Sequence, residues 1–573
     1  MLAPSQRKDG TPHSRVADSA LTLILSVVIA AVIAAVICIP QAHAATPCEG
    51  LPTVALDNAS VAASVTVAGP SFTAADGKTY TEVPPFCKVS VLATPSPDST
   101  ITIELWLPNP GWNGRFQGVG NGGYAGTSAV AVPAMISALK SGFAVATTDM
   151  GTAPSANSNA DALVGHPQKW EDFGSRATHL MTTLSKQLLG SYYGQDAQYS
   201  YFNGCSTGGQ QALMSAQRFP ADYDGILAGS PANNRTHVHT GLLWNNIALR
   251  ETPNSQFSSD QTKLVTNSVV AACNVKSGGL ATDPFLTDPR SCDWDPGVLL
   301  CSSLTATNCL NADQVAAARK IYAGPQNPVN GHRIFPGSIR GGETDSQFGW
   351  SAQGRNSEPQ FASLFKWTFG LTWMASTYDF NQHMASVDSL LGITLNANNP
   401  DLSQFKARGG KLIGYHGWAD PVISPQDSIN YYQRVVATQG QNATQGLKRT
   451  QDFYRLFMVP GMAHCAFGTG ANAFGNLFSG LVYAAPPPAS SRENDAMVAL
   501  QAWVEAGKAP VRIVATKYVQ DVPELGIQMQ RPICPYPQMP RYSGSGDVNA
   551  ASSFVCAEGP NTVNQMPASE YLH

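Results

Sequence analysis

Short runs of apolar and β-branched residues, bounded by Gly, Pro and Asn, recur from about residue 100 onward. Runs of this kind predict buried β-strands, because each is too short for a helix and is closed by turn-forming residues. The predicted strands are 101–108, 115–119, 143–148, 199–203, 225–228, 411–415 and 454–459.

Helical spacing separates several of these runs. The segment 170–193 places apolar residues on one helical face, and the segment 208–219 ends just before Pro220. The apolar residues of the first segment are Phe173, Leu180, Leu184 and Leu188. Strands that alternate with helices predict an α/β fold with a mainly parallel sheet and crossover helices.

The alternation stops between residues 231 and 235 and returns near residue 405. A chain of 573 residues is too long for one ordinary core, so an inserted domain is expected. We predict a lid domain over 234–404, inserted into a catalytic domain formed by 45–233 and 405–573. Aromatic residues are frequent in the predicted lid, namely Phe365, Trp367, Phe369, Trp373 and Tyr378. They could stack on an aromatic substrate, although such a cluster more often forms a simple core.

The N-terminus has the pattern of a secretory signal. Basic residues precede an apolar run over 21–40, and Ala42-His43-Ala44 follows as a small-residue cleavage site. We therefore expect residues 1–44 to be removed and the mature protein to be secreted or periplasmic, with no membrane attachment. A run of roughly 20 apolar residues is also long enough to span a bilayer, so retention as an anchor is the alternative.

Composition and charge narrow the possible partners. Only 13% of the residues are charged, against about 25% in a typical soluble domain. The net charge is −4, and no block of basic residues occurs. These features argue against nucleic acid as a partner.

The cysteines indicate an oxidising compartment. The chain has 11 cysteines, and Cys38 lies inside the predicted signal, which leaves an even number in the mature protein. Proximity along the chain suggests the pairs Cys48–Cys87, Cys273–Cys292, Cys301–Cys309 and Cys534–Cys556, leaving Cys205 and Cys465. Sequence alone does not establish this connectivity.

The strongest candidate for chemistry is the segment Gly204-Cys205-Ser206-Thr207-Gly208, which lies between a predicted strand and a predicted helix. This G-x-S-x-G pattern is typical of a nucleophile elbow, a tight turn that needs small residues around the serine. The first amides of the helix then point at the site, so the N–H of Thr207 is a candidate oxyanion donor. A plain structural turn is the alternative.

Candidates for the acid and the base follow later strands in the order that such a triad requires. Asp420 follows the strand 411–415, and His464 follows the strand 454–459. Asp420 could instead be a turn residue before Pro421, and His464 an ordinary loop histidine. His416 is a rival base, but it precedes the acid and so breaks the order.

A second oxyanion donor is expected from the glycine-rich segment 118–123, which follows the strand 115–119. The backbone N–H groups of Gly122 and Gly123 are the candidates. The segment lacks the G-x-G-x-x-G order and the lysine of phosphate-binding loops, so nucleotide binding is not expected.

Together, four motifs resemble the tannase and feruloyl esterase family, which includes mono(2-hydroxyethyl) terephthalate hydrolase. They are Gly204–Gly209, Gln217–Gly225, His416-Gly-Trp-Ala-Asp420 and Pro460–Cys465. The resemblance implies an α/β-hydrolase core with a lid, and a disulfide between Cys205 and Cys465. It makes Ser206 the nucleophile, Asp420 the acid and His464 the base. It also implies a small-molecule ester of a galloyl or hydroxycinnamoyl acid as substrate. Acyl transfer by a serine, a histidine and an aspartate needs no cofactor.

One departure from the family concerns calcium. Many members bind it in the lid through a loop that begins Cys-Asp-x-x-Asp-Gly, but this chain has Cys273-Asn274-Val275-Lys276-Ser277-Gly278. Calcium prefers a shell of oxygen ligands, often carboxylates, and of these only Asp283 and Asp288 remain nearby. Weak or absent calcium binding is therefore expected.

Two other functions stay open at this level. The chain could be a secreted binding protein that kept the fold without activity, although Ser206, Asp420 and His464 are all intact. It could also be a serine peptidase, which can use the same order of catalytic residues. Hydrolysis of an amide but not of an aryl ester would favour the peptidase.

Overall fold

The computed structural model describes residues 45–303, 307–345, 347–476 and 484–559, and the predicted signal over 1–44 lies outside these ranges. The strands are β1 (Ala59–Val67), β2 (Ser71–Thr73), β3 (Thr79–Thr81), β4 (Phe86–Ala93), β5 (Ile101–Pro108), β6 (Arg115–Val119), β7 (Ala144–Thr148), β8 (Tyr199–Cys205), β9 (Gly225–Gly229), β10 (Lys411–Gly417), β11 (Tyr454–Val459), β12 (Ile513–Tyr518), β13 (Ile527–Ile533), β14 (Gln538–Tyr542) and β15 (Phe554–Glu558). The α-helices are α1 (Val132–Lys140), α2 (Pro167–Glu171), α3 (Ala177–Tyr193), α4 (Thr207–Arg218), α5 (Arg235–Leu249), α6 (Ser259–Cys273), α7 (Ala312–Ala323), α8 (Trp350–Gln353), α9 (Ser363–Phe369), α10 (Gln382–Val387), α11 (Ile393–Leu395), α12 (Ser403–Ala407), α13 (Pro425–Gln439), α14 (Ala443–Gln451) and α15 (Ala496–Ala506).

The main sheet has the strand order β1-β4-β5-β7-β6-β8-β9-β10-β11. The strands from β7 through β11 in this order run parallel, whereas β1, β4 and β5 pair antiparallel with their neighbours. Each predicted strand is present, with bounds that differ by at most a few residues. The predicted α/β fold with a mainly parallel sheet is confirmed.

Both faces of this sheet are buried. Side chains of neighbouring residues on a strand point to opposite faces, so Ile226 and Leu227 enter different apolar clusters. Leu456 and Phe457 divide in the same way on β11. Continuous apolar runs are therefore needed here, because helices cover the sheet on both sides.

The predicted helix 170–193 is interrupted. It consists of α2, a π-helical stretch over Asp172–Arg176, and then α3. The carboxylate of Asp172 is buried within this stretch and accepts hydrogen bonds from Ser99 and from Arg176. Apolar periodicity does not report these polar partners, and for that reason the wider turn was not predicted.

Between β9 and β10 the described residues contain helices and loops and no strand of the main sheet. One apolar cluster, around Trp294 and Trp350, lies within this region. A second cluster, rich in aromatic rings, joins this region to earlier residues such as Tyr124 and Phe173. The disulfides Cys273–Cys292 and Cys301–Cys309 close short loops here. Within the described ranges, no helix is both long and apolar enough to cross a membrane.

The two other disulfides outside the site join Cys48 to Cys87 and Cys534 to Cys556. The first ties the N-terminal segment to β4, and the second ties the end of β13 to β15. With Cys205–Cys465, all five pairs suggested by the sequence are present.

Candidate active site

The serine of the elbow occupies a strained backbone position. Ser206 lies between β8 and α4 with φ 63° and ψ −118°, a conformation that costs energy for a residue with a side chain. Its neighbours are buried, whereas Ser206 itself is half-buried. A Cβ atom on Gly204 would lie 2.6 Å from the carbonyl oxygen of Gly208, so only glycine fits there. The turn therefore presents the hydroxyl at the carboxyl edge of the sheet.

Asp420 and His464 meet at the same edge of the sheet. The parallel strands β9, β10 and β11 end side by side, with Tyr415 opposite Gly229 and Gly417 opposite Val459. Asp420 follows β10 and His464 follows β11, and the imidazole Nδ1 lies 2.7 Å from Asp420 Oδ2. Since Nδ1 is engaged by the carboxylate, Nε2 is the nitrogen that can exchange a proton with a substrate or nucleophile.

The carboxylate of Asp420 is completely enclosed by partners. Oδ1 accepts the amides of Val422 at 2.8 Å and Ile423 at 3.1 Å, and Oδ2 faces both His464 and His416. Burial by itself raises the pKa of this carboxyl, but the two imidazoles outweigh burial and hold the pKa of Asp420 below its ordinary value. The group is therefore a carboxylate at neutral pH.

His416, the rival base in the sequence, has a different place. It is fully buried, with Nε2 3.1 Å from Asp420 Oδ2 and 3.1 Å from the carbonyl oxygen of Ile423. Both of these atoms are acceptors, so Nε2 carries a proton. Its Nδ1 lies 2.7 Å from Ser428 Oγ. His416 thus donates to the acid, and the spacing of four residues in His416-Gly-Trp-Ala-Asp420 was the signal for this contact.

A second buried carboxyl lies next to Ser428. Asp427 is 1% exposed, and its Oδ2 has no hydrogen-bond partner among the described residues. Burial raises the pKa of Asp427 to about 6, against the lowering effects of Arg434, His237 and His416. Nothing in the sequence distinguished this aspartate from an ordinary residue of an amphipathic helix.

A disulfide joins the elbow to the histidine loop. Cys205 and Cys465 are bonded across 260 residues of sequence, with their Cα atoms 6.0 Å apart. Each cysteine is the immediate neighbour of a candidate catalytic residue, Ser206 or His464. The bond therefore keeps these two residues in adjacent parts of the structure.

The glycine-rich segment 118–123 lies against the start of α4. Gly208 N donates to Asn121 O at 2.8 Å, and Thr207 Oγ1 donates to Gly123 O at 2.7 Å. Within the described chain, the amides of Thr207, Gly122 and Gly123 donate no hydrogen bond, although all three residues are buried. Buried amides are nearly always paired, so three unpaired donors in one place indicate a site for an anionic oxygen.

Sequence reasoning missed Arg235, the first residue of α5. Its buried guanidinium donates to Thr207 Oγ1 at 2.8 Å and to Gln210 Oε1 at 2.7 Å. The sequence offered no signal for this contact, because Arg235 lies in a polar stretch where the strand–helix pattern ends.

The aromatic residues of the predicted lid pack mainly against one another. Phe365 stacks on Trp373 with ring centroids 4.9 Å apart, and Trp367 contacts Phe173 and Tyr124. They form the core of this region and not a stacking surface for a ligand. The aromatic residue beside the triad is Phe348, whose ring lies edge-on to His464 at 5.8 Å.

The residues of the family's calcium loop do not fit a calcium ion here. Asp283 Oδ1 accepts from Arg531 at 2.9 Å, and Asp288 is paired with Arg290 at 2.6 Å. Lys276 brings a further positive charge into the loop and pairs with Asp293. In the described part of the chain, no cluster of three or more His, Cys, Asp or Glu side chains could hold a metal.

Comparison with known proteins relates the whole chain to esterases. The profile of a family described as "Tannase and feruloyl esterase" matches residues 87–557. An uncharacterized esterase of Xanthomonas campestris pv. campestris is 36% identical over 547 residues, which cover 91% of this chain and 93% of the relative. A probable feruloyl esterase B-2 of Aspergillus flavus is 34% identical, with 78% of this chain and 83% of the relative covered.

The fold is likewise similar to a solved esterase. The crystal structure of an esterase from Aspergillus oryzae superposes with a TM-score of 0.80 at 27% sequence identity. The superposition covers 89% of this chain and 99% of that chain. The similarity therefore extends over the sheet, the region between β9 and β10, and the C-terminal hairpins together.

Proposed function

Since the chain belongs to the tannase and feruloyl esterase family and is a carboxylic ester hydrolase, we propose that it is a serine esterase that works through an acyl-enzyme. Ser206 is the nucleophile, His464 the general base and Asp420 the acid that orients His464. The observation that carries this proposal is the Asp420–His464 hydrogen bond, held next to the strained Ser206 by Cys205–Cys465.

Acylation begins when Ser206 Oγ attacks the ester carbonyl carbon. The hydroxyl proton passes to Nε2 of His464, and the carbonyl oxygen becomes an oxyanion. The unpaired amides of Thr207 and of Gly122 or Gly123 donate to that oxyanion. When the intermediate collapses, His464 returns the proton to the departing alcohol, which leaves the acyl group on Ser206.

Deacylation repeats these steps with water. His464 Nε2 takes a proton from water as its oxygen attacks the acyl carbon, and it returns the proton to Ser206 Oγ as the acid leaves. Asp420 stays ionised throughout, because its two imidazoles and two amides all stabilise the carboxylate. It can therefore stabilise His464 in each step where that imidazole is protonated.

We further propose that the acyl group is aromatic, of the galloyl or hydroxycinnamoyl type. Relatives named as probable feruloyl esterases support this substrate class. Phe348 offers a partly buried ring beside His464, where an aromatic acid could pack edge to face. The catalytic steps use side chains and backbone amides, so no cofactor enters the proposal, and we propose that the lid needs no calcium.

The five disulfides support an exported protein. Such bonds form and persist outside the reducing cytoplasm. We propose that the apolar N-terminal segment directs export and that the enzyme acts in the periplasm or outside the cell.

The test is hydrolysis by the exported chain of methyl gallate, methyl ferulate, mono(2-hydroxyethyl) terephthalate and p-nitrophenyl acetate. Ser206→Ala should abolish turnover, with a loss of about 10⁶-fold in kcat. Ser215→Ala is the matched control, because Ser215 lies on the same helix and donates to Gln211 O. Turnover that survives in Ser206→Ala would overturn the proposed nucleophile, and the preferred ester identifies the acyl group.

A further inference from the structure

Arg235 is a buried cation with no anionic partner. The residue is 3% exposed, and no carboxylate in the described ranges pairs with it. Its Nε atom is buried without a hydrogen-bond acceptor among the described residues. Burial lowers the pKa of Arg235 to about 10, so the guanidinium still carries its charge at neutral pH.

A charge in this position is costly for folding. Removing a guanidinium from water is unfavourable unless an anion or a full set of acceptors replaces the water. The contacts that Arg235 does make are two neutral acceptors on α4 and the ring of Phe173, 5.0 Å from the guanidinium carbon. Buried groups that are only partly satisfied occur most often at functional sites, where a ligand or an intermediate supplies the missing partner.

One acceptor of Arg235, the hydroxyl of Thr207, also contacts the glycine-rich segment that carries unpaired amides. Thr207 Oγ1 accepts from Arg235 Nη2, which leaves its single proton free to be donated to Gly123 O at 2.7 Å. Thr207 carries one unpaired amide, and Gly122 and Gly123 carry the others. One hydroxyl thus connects the start of α4 to the glycine-rich segment, and Arg235 determines which way that hydroxyl points.

We propose that Arg235 is a positioning residue for the oxyanion hole, acting through Thr207. Arg235 fixes the Thr207 hydroxyl, and that hydroxyl holds the two sets of amide donors at the separation that an oxyanion needs. The guanidinium also places a positive charge behind α4, where it adds to the field of the helix N-terminus. This role rests on the proposed esterase function.

The test separates positioning from folding with four variants. Arg235→Met and Thr207→Val remove the charge and the hydroxyl at similar side-chain volume. Arg235→Lys and Thr207→Ser are the conservative counterparts. For each variant, an aryl phosphonate titrates the fraction of reactive Ser206, and kcat per titrated site and KM are measured on one ester. The affinity for an arylboronic acid, which forms a tetrahedral anion on the serine, is measured as well.

We expect Arg235→Met and Thr207→Val to lower kcat per titrated site roughly 10- to 100-fold, with KM within about threefold of the wild type. Boronate affinity should fall by a similar factor, because the anion uses the same amides. Thr207→Ser should restore most of the loss, and Arg235→Lys part of it. Arg250→Met, just beyond the end of α5, is the control for loss of charge.

The outcomes distinguish this proposal from the esterase proposal. If kcat per titrated site and boronate affinity stay at the wild-type value while only the titrated fraction falls, Arg235 merely supports folding and the positioning role is overturned. The same holds if Arg235→Met fails to fold but Thr207→Val is fully active. If the wild type shows no turnover dependent on Ser206, the esterase proposal fails and this proposal fails with it.

Discussion

Two buried polar regions of the molecule satisfy their hydrogen-bonding groups in different ways. At the carboxyl edge of the sheet, the amides of Thr207, Gly122 and Gly123 have no acceptor among the described residues, and Ser206 has a strained backbone. In the loop that corresponds to the family's calcium site, each carboxylate is bound by a side-chain cation, as Arg531 binds Asp283. The first region thus has backbone donors available for a substrate oxygen, whereas the carboxylates of the second region already have cationic partners.

Unpaired buried donors are typical of a ligand-binding site, whereas paired charges are typical of a structural element. An unpaired buried donor costs free energy in the resting protein, and the cost is recovered when a substrate oxygen arrives. A carboxylate that is already paired with an arginine gains less from a further cation, because the ion would have to displace that arginine. We therefore expect substitutions at the sheet edge to affect turnover, and substitutions of the paired carboxylates around Asp283 to affect stability alone.

The largest effect is expected at Asp420. Asp420→Asn keeps the shape of the side chain but removes the charge that orients and stabilises protonated His464, so kcat should fall about 10⁴-fold. Steady-state kinetics on the preferred ester measure this. His416→Gln, which removes the other imidazole from Oδ2, should cost far less. A decrease below tenfold in Asp420→Asn would show that Asp420 is not the acid of the triad.

Loss of the Asp283–Arg531 ion pair should lower the stability of the protein. Asp283→Asn leaves the guanidinium of Arg531 buried and unpaired, so the free energy of unfolding should fall by about 3–5 kcal/mol. Urea denaturation measures this, and kcat of the folded enzyme should not change. Asp293→Asn is the matched control, because the Lys276–Asp293 pair is exposed and should contribute less than about 1 kcal/mol.

In contrast to Asp283→Asn, the substitution Asp427→Asn should raise the free energy of unfolding at neutral pH. Burial raises the pKa of this carboxyl to about 6, so the folded protein binds a proton more tightly than the unfolded chain does. Stability should therefore fall as pH rises from about 4 to about 6, with a penalty of up to about 3 kcal/mol above that range. Asp427→Asn should remove the penalty and stabilise the protein at pH 8 but not at pH 4. Equal effects at both pH values would contradict the shifted pKa.

The disulfide at the site should affect turnover more than a disulfide far from the site does. In the double variant Cys205→Ala and Cys465→Ala, the His464 loop gains freedom relative to the elbow. We expect kcat to fall roughly 10- to 100-fold, as for other small displacements of catalytic groups. The double variant Cys534→Ala and Cys556→Ala is the control and should leave kcat unchanged. Similar kcat values for both double variants would show that the Cys205–Cys465 bond has only a structural role.

Calcium should have the smallest effect. A site filled at 100 times its Kd would add about 2.7 kcal/mol to the free energy of unfolding. Because arginines occupy the carboxylates of the loop, we expect Tm and kcat to be the same in EDTA and in calcium chloride. Tight stoichiometric binding in calorimetry would contradict this.

The sheet and the elbow could be predicted because each depends on local pattern. A buried parallel strand is a continuous apolar run, and the elbow at Ser206 is a short motif between a strand and a helix. The order of Asp420 and His464 along the chain then followed from their positions after strands. These features are encoded by neighbours in sequence.

The contacts that complete the site could not be predicted, because they join segments far apart in the chain. Arg235 reaches back to Thr207, and Gly123 approaches the same hydroxyl from a segment more than 80 residues earlier. Whether the aromatic residues of the predicted lid stack on a substrate or form a core depended on which side of each ring faced the core. Nothing in the spacing of Phe365 and Trp373 specifies that.

The disulfide between Cys205 and Cys465 also has a consequence for when the enzyme becomes active. In the reducing cytoplasm, a newly made chain would carry its proposed nucleophile and its proposed base on two segments that no disulfide joins. Under the proposed export route, the bond forms only after the chain has left the cytoplasm, so full turnover is expected only there. Before export, the chain would hydrolyse esters roughly 10- to 100-fold more slowly.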